Sequence, residues 1–197
     1  MSTPRFLVLS IGNPLAIYNC LHSAGHFALQ SFQKLLAPNQ PSWTPESHGR
    51  QPCLTSTGQP YMLIQSPTLM NASGPWVSDV WHETLEKFSL KPADLGLVVV
   101  HDELEDGLGY TRLRSWNTSH KGNNGVKSIK AHLNKQEHAD AKWWRISVGI
   151  DRPPSREPEV VAEYVLRQIS KEQKDVIEEQ AGSRILSCLQ KLEQGWK

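Results

Sequence analysis

A chain of 197 residues suits one globular domain and would crowd two. Hydrophobic residues at 38% and charged residues at 21% exclude a fibrous or wholly disordered protein. With 21 Lys and Arg against 20 Asp and Glu the formal charge is +1, so bulk charge decides nothing about nucleic acid, and only a local basic patch can make that case.

Residues 5–11 (RFLVLSI) are branched and aromatic and run into Gly12-Asn13-Pro14, which predicts a buried strand stopped by a turn. Apolar residues at helical spacing follow over 22–36. Residues 37–60 hold Pro38, Pro41, Pro45, Pro52 and Pro60 and read mostly as loop, with Gly58-Gln59 turning a short hairpin into a strand at 61–65. A helix is expected over 75–88. Residues 95–101 (LGLVVVH) form the clearest strand, and their lack of alternation predicts burial on both faces. Alternation over 110–114 suggests a partly exposed strand. A helix over 124–133, a strand over 143–150 and helices over 159–167 and 171–192 complete the chain. This order predicts a single-domain α/β fold with a mixed central sheet covered by helices on both faces. In such sheets the working residues sit in loops beyond the carboxyl ends of the strands, which directs attention to residues 12–22, 69–74, 101–106 and 120–125.

Several function classes drop out. The longest apolar runs, 6–9 and 97–100, are far too short to span a bilayer, and Met1–Arg5 lead straight into a strand without a secretory pattern. Cys20, Cys53 and Cys188 are isolated and odd in number, which predicts a reducing compartment rather than a disulfide framework. The eight His lack metal-ligand spacing, and no cofactor is expected. GxSxG, GxxxxGK[ST] and GxGxxG are missing, so serine esterases, P-loop enzymes and dinucleotide dehydrogenases are disfavoured. What remains is a His, an Asp and several Asn after strands. That set suits a hydrolase in which a neutral His takes a proton from water, a carboxylate stabilises the charged ring, and Asn amides grip a backbone or a developing oxyanion.

These residues also carry a family likeness. Gly12-Asn13-Pro14, Tyr18, His22 and Gly25 resemble the GNPGxxYxxTRHNxG opening of the bacterial-type peptidyl-tRNA hydrolases. Residues 68–74 (TLMNASG) resemble their T-Y/F-M-N-x-S-G, 99–105 (VVHDELE) their V-x-H-D-E-L-D, and 122–129 (GNNGVKSI) their G-H-N-G-L-K-x-I. Residues 145–154 (RISVGIDRPP) resemble R-x-R-V-G-I-x-R-P, and 161–166 (VAEYVL) resemble V-x-x-Y-V-L. Six modest blocks in the right order cover most of the chain. Leu15 replaces a Gly of the pattern and is expected to change its loop, and Asn123 replaces the His before Asn124.

The resemblance implies hydrolysis of the ester joining a peptide to the terminal ribose of tRNA. His22 would be the catalytic base, Asp102 its partner, and Asn13 the group that polarises the carbonyl or holds the reacting end. Tyr18, Met70, Asn71 and Asn124 would contact substrate, and Asn124 is also placed to cap its helix. Arg112 and Arg114, at alternate strand positions and so on one face, would contact tRNA phosphate, with Arg145 and Lys127 extending the patch. Peptidyl-tRNA is the implied partner, with the ribosome a further candidate; a membrane is not implied, a monomer is expected, and the compartment is cytoplasmic or mitochondrial. The near-zero net charge predicts weak, salt-sensitive tRNA binding. Two other readings compete: a ribosome-associated RNA-binding factor that kept the fold and lost the chemistry, and an esterase for small acylated substrates. Arg112 and Arg114 buried or paired with acids would favour the esterase.

Overall fold

The computed structural model describes residues 5–196; Met1–Pro4, read above, lie outside them, as does Lys197. Seven strands form one sheet: β1 (Phe6–Ser10), β2 (Thr44–His48), β3 (Gln51–Thr57), β4 (Tyr61–Gln65), β5 (Gly96–Glu103), β6 (Thr111–Ser115) and β7 (Lys142–Gly149). Their order is β2-β3-β4-β1-β5-β7-β6. The central β4, β1, β5 and β7 run parallel, and β2, β3 and β6 join antiparallel at the edges. Five helices cover it: α1 (Ala24–Leu36), α2 (Ser73–Phe88), α3 (Asn124–His132), α4 (Pro158–Leu166) and α5 (Lys171–Gln194). The mixed sheet in an α/β domain is the architecture expected above.

β1, β4 and β5 carry apolar runs because both of their faces are covered. In β1, Phe6 and Val8 pack with Phe27 and Phe32 of α1 and Ile185 and Leu189 of α5. Leu7 and Leu9 point the other way, into Trp76, Val80 and Trp81 of α2 and Val126 and Ile129 of α3.

The stretch over 37–60 corrects the loop expectation, since it contains β2 and β3. Pro45 and Pro52 hid them. Pro45 lies on the edge strand, and Pro52 lies beyond the β3–β4 ladder, which starts at Leu54, so neither breaks a central pairing. Gly49 and Arg50, at φ 54° and 63°, turn His48 back onto Gln51, the double positive φ of a two-residue hairpin turn. The hairpin expected at Gly58 is present as the β3–β4 connection.

Parallel β1, β4 and β5 end at the same edge of the sheet, and their following loops gather there. Gly25 lets α1 begin tight against that edge: a Cβ on it would lie 2.7 Å from the Val100 carbonyl oxygen and 2.8 Å from that of Ile11. Gly125 does the same for α3, where a Cβ would strike Met70. Residues 15–17 form a short 3-10 turn between β1 and His22. Among the described residues no helix is long and apolar enough to cross a membrane.

Candidate active site

A cleft of about 560 Å³ opens at the carboxyl edge of the sheet. Its polar end carries Asn13, His22, Asn71, Asp102, Asn123 and Asn124. Its apolar side is made by Met70, buried beneath, and by Ile17, Leu69, Val161 and Leu166. Loops after β1, β4 and β5, the entry to α3, and α4 therefore each supply part of it.

His22 sits on a 3-10 turn, Leu21–Ser23, just ahead of α1 rather than inside the helix. Its Nδ1 lies 2.7 Å from Oδ2 of Asp102, at the end of β5. The Asp102 side chain is 3% exposed and that of His22 15%. Burial opposes a charge on the ring, but the negative charge of Asp102 and its hydrogen bond outweigh burial and raise the His22 pKa above the ordinary 6.5. With Nδ1–H committed to the carboxylate, the lone pair falls on Nε2, the nitrogen left to act on water.

Asn13 is held by four bonds, one of them from Ser23 Oγ to its carbonyl oxygen at 3.5 Å. Its backbone N–H donates to Ser23 Oγ at 3.1 Å, its Oδ1 accepts from the Met70 N–H at 3.2 Å, and its Nδ2 faces Cys20 Sγ at 3.6 Å. Sulfur is a weak acceptor, so this buried amide keeps donor capacity for a substrate oxygen. Asn71 and Asn124 are exposed on the cleft wall.

Behind Asp102 the neighbouring ring of His101 is buried. Its Nδ1 donates to the Asp102 carbonyl oxygen at 2.7 Å, and its Nε2 accepts from Arg145 Nη1 at 3.2 Å. Burial first, then the Arg145 charge, pull its pKa down to about 4, so it is a neutral brace.

The structure relocates several of the expected contacts. Arg145 is 2% exposed and donates to the Thr118 carbonyl oxygen at 2.7 Å; it ties β7 to the loop after β6 and is no phosphate contact. Arg112 and Arg114 do share a face, but both turn onto the buried carboxylate of Asp106. Arg114 Nη2 lies 2.7 Å from Asp106 Oδ2 and its side chain is 13% exposed, so it is corrected to an internal ion pair. Arg112 keeps 43% of its side chain exposed while bonded to the same carboxylate. Tyr18 does not line the cleft: its hydroxyl donates to Gln65 Oε1 at 3.2 Å and accepts from Gln30 Nε2 at 2.8 Å, with its ring stacked on His26. Lys127 is exposed on α3. Asn123, not Asn124, caps α3, and Lys121, Arg152 and Arg156 also line the cleft, none of them anticipated. A capping Asn before an apolar-periodic run was the legible signal for Asn123. Among the described residues no three or more His, Cys, Asp or Glu are grouped to hold a metal ion.

The sequence profile of the peptidyl-tRNA hydrolase family matches residues 7–196. The chain belongs to the peptidyl-tRNA hydrolase family. A relative from Schizosaccharomyces pombe named "Probable peptidyl-tRNA hydrolase" is 31% identical over 189 residues, covering 95% of this chain and 82% of that protein. A peptidyl-tRNA hydrolase from Aquifex aeolicus is 32% identical over 184 residues, covering 93% and 87%. The crystal structure of an Arg119Gln mutant of the Acinetobacter baumannii peptidyl-tRNA hydrolase superimposes with a TM-score of 0.70 at 22% identity, covering all of this chain and 94% of that one. That likeness establishes the peptidyl-tRNA hydrolase fold.

Proposed function

We propose that the cleft hydrolyses the ester of peptidyl-tRNA with water activated by His22. The observation that carries the mechanism is the 2.7 Å contact between His22 Nδ1 and Asp102 Oδ2 at the polar end of the cleft. Water gives a proton to Nε2 as its oxygen attacks the ester carbonyl, and Asp102 stabilises the imidazolium so formed. The Asn13 amide donates to the carbonyl oxygen as it gains charge. The tetrahedral intermediate then collapses, the ribose oxygen leaves and takes the proton back from His22, and peptide and tRNA are released. The apolar wall of Leu69, Met70 and Val161 receives peptide side chains, while Asn71 and Asn124 hold its backbone. The exposed part of Arg112, with Lys127 and Lys121, meets tRNA phosphate.

A paired His and Asp inside an open cleft do not favour a catalytically degenerate factor. The small-acyl esterase keeps one specific support, the pairing of Arg112 and Arg114 with Asp106. One assay separates the readings: peptidyl-tRNA beside an N-blocked aminoacyl ester lacking the tRNA body. The proposal expects kcat/KM to favour peptidyl-tRNA by at least about 100-fold, roughly 2.7 kcal/mol of tRNA contribution. Equal cleavage would establish the esterase, and cleavage of neither would establish the factor.

The three cysteines are free and buried, which supports work in a reducing compartment, cytoplasmic or mitochondrial. The protein acts as a monomer in this proposal, and light scattering at assay concentration tests that. Whether the ribosome serves as a partner is read by cosedimentation.

A further inference from the structure

Asn123 serves two elements with one side chain. Its Oδ1 accepts from the Val126 N–H at 3.0 Å and so caps α3. Its Nδ2 donates to Asp102 Oδ1 at 2.8 Å and leans on the Asp102 carbonyl oxygen at 3.3 Å. The cap settles which corner of the amide is oxygen, so the corner facing Asp102 is an N–H donor. Asp102 is thereby gripped at both carboxylate oxygens, Oδ1 by Asn123 and Oδ2 by His22.

We infer that Asn123 is a positioning residue for catalysis, aiming the Asp102 carboxylate at His22 and coupling that aim to the start of α3. The inference rests on the dyad reading proposed above. A carboxamide suits the position because it accepts on one side and donates on the other. Asp would preserve the cap but turn lone pairs and a charge toward Asp102. Ser would preserve the cap but be one atom too short to reach the carboxylate. Asn123 stands where the quoted family pattern has His.

The other ionisable groups around the pair are His101 behind Asp102, Glu103 on the same strand, Lys121 on the loop before α3, and Arg152 and Arg156 after β7. The N123D and N123S variants leave all of these unchanged. Asn, Asp and Ser are comparably good caps, so N123S should melt close to wild type, while N123D sets a second carboxylate against Asp102 and should melt lower. The test measures thermal midpoint, kcat, KM and the pH profile of kcat/KM on peptidyl-tRNA for wild type, N123D, N123S and D102N. In N123S, kcat should drop about tenfold with KM within about twofold. In N123D the added charge should hold the His22 proton more tightly and move the acid limb up by about one pH unit, a rate about tenfold lower well below the limb. A residue that only caps α3 would give wild-type kcat in N123S and an unmoved limb in N123D, and either result overturns the inference. If D102N is impaired while both Asn123 variants behave as wild type, the dyad reading stands and this one falls. If D102N itself runs at the wild-type rate, the dyad reading fails and takes this one with it. Should one variant fold poorly, the other still decides.

Discussion

Arg145 on β7 reaches His101 on β5, its Nη1 lying 3.2 Å from Nε2 of a ring that braces the backbone of Asp102. The same guanidinium holds the Thr118 carbonyl oxygen at 2.7 Å. A buried cation with these partners holds structure together. Arg145→Ala should destabilise the fold by about 3 kcal/mol, through lost packing and polar groups left unpaired. Denaturant unfolding checks this. A stable variant that instead bound tRNA more weakly would restore Arg145 to the phosphate surface.

Two buried neutral histidines make the fold acid-sensitive. Burial pulls His26 down to about 3, and burial with Arg145 pulls His101 down to about 4. Both lie below the unfolded value of about 6.5, so the unfolded chain binds more protons and stability falls as pH drops below that value. At pH 5 each costs about 2 kcal/mol relative to pH 7. His22 is shifted the other way: its contribution is present below the unfolded value and lost as pH rises through its higher folded value. Unfolding free energies at pH 7 and pH 5 should therefore differ by several kcal/mol, and equal values would contradict the neutral assignment of His26 and His101.

Asn13→Asp isolates the donor role of Asn13. A carboxylate still accepts from the Met70 N–H but offers nothing to a substrate oxygen. The kcat should fall by about 100- to 1000-fold with the fold preserved. Retention of kcat would show that the oxyanion is held elsewhere.

Arg112 and Lys127 are proposed to meet phosphate. Arg112→Gln and Lys127→Gln should each raise KM for peptidyl-tRNA a few-fold and flatten its dependence on salt, with kcat unchanged. Salt dependence identical to wild type in both variants would remove them from the tRNA surface.

The parts of this molecule that were legible share a physical reason. Strands β1 and β5 announce themselves because two helical layers bury both faces and force apolar runs, and β7 because of its aromatic and branched residues despite Arg145. His22 and Asp102 were legible as motif residues in loops at strand ends, and the sheet brings them together across 80 positions. Strands β2 and β3 were not, because Pro45 and Pro52 mimic loop and their hairpin turns on Gly49-Arg50 without Asn-Gly. Alternation placed Arg112 and Arg114 on one face, but it could not reveal that Asp106, from the preceding turn, folds onto that face and takes both. The role of Arg145 depends on its register beside Val99 and Arg114, which only the assembled sheet defines. Asn123 carried a capping signal, but its second bond needs the position of β5.

The central claim is that His22 turns water into the nucleophile. Single-turnover cleavage of peptidyl-tRNA by His22→Ala, at saturating protein, tests it most directly. The account predicts a rate at least about 1000-fold below wild type with tRNA affinity and thermal midpoint preserved. Cleavage at the wild-type rate would contradict it.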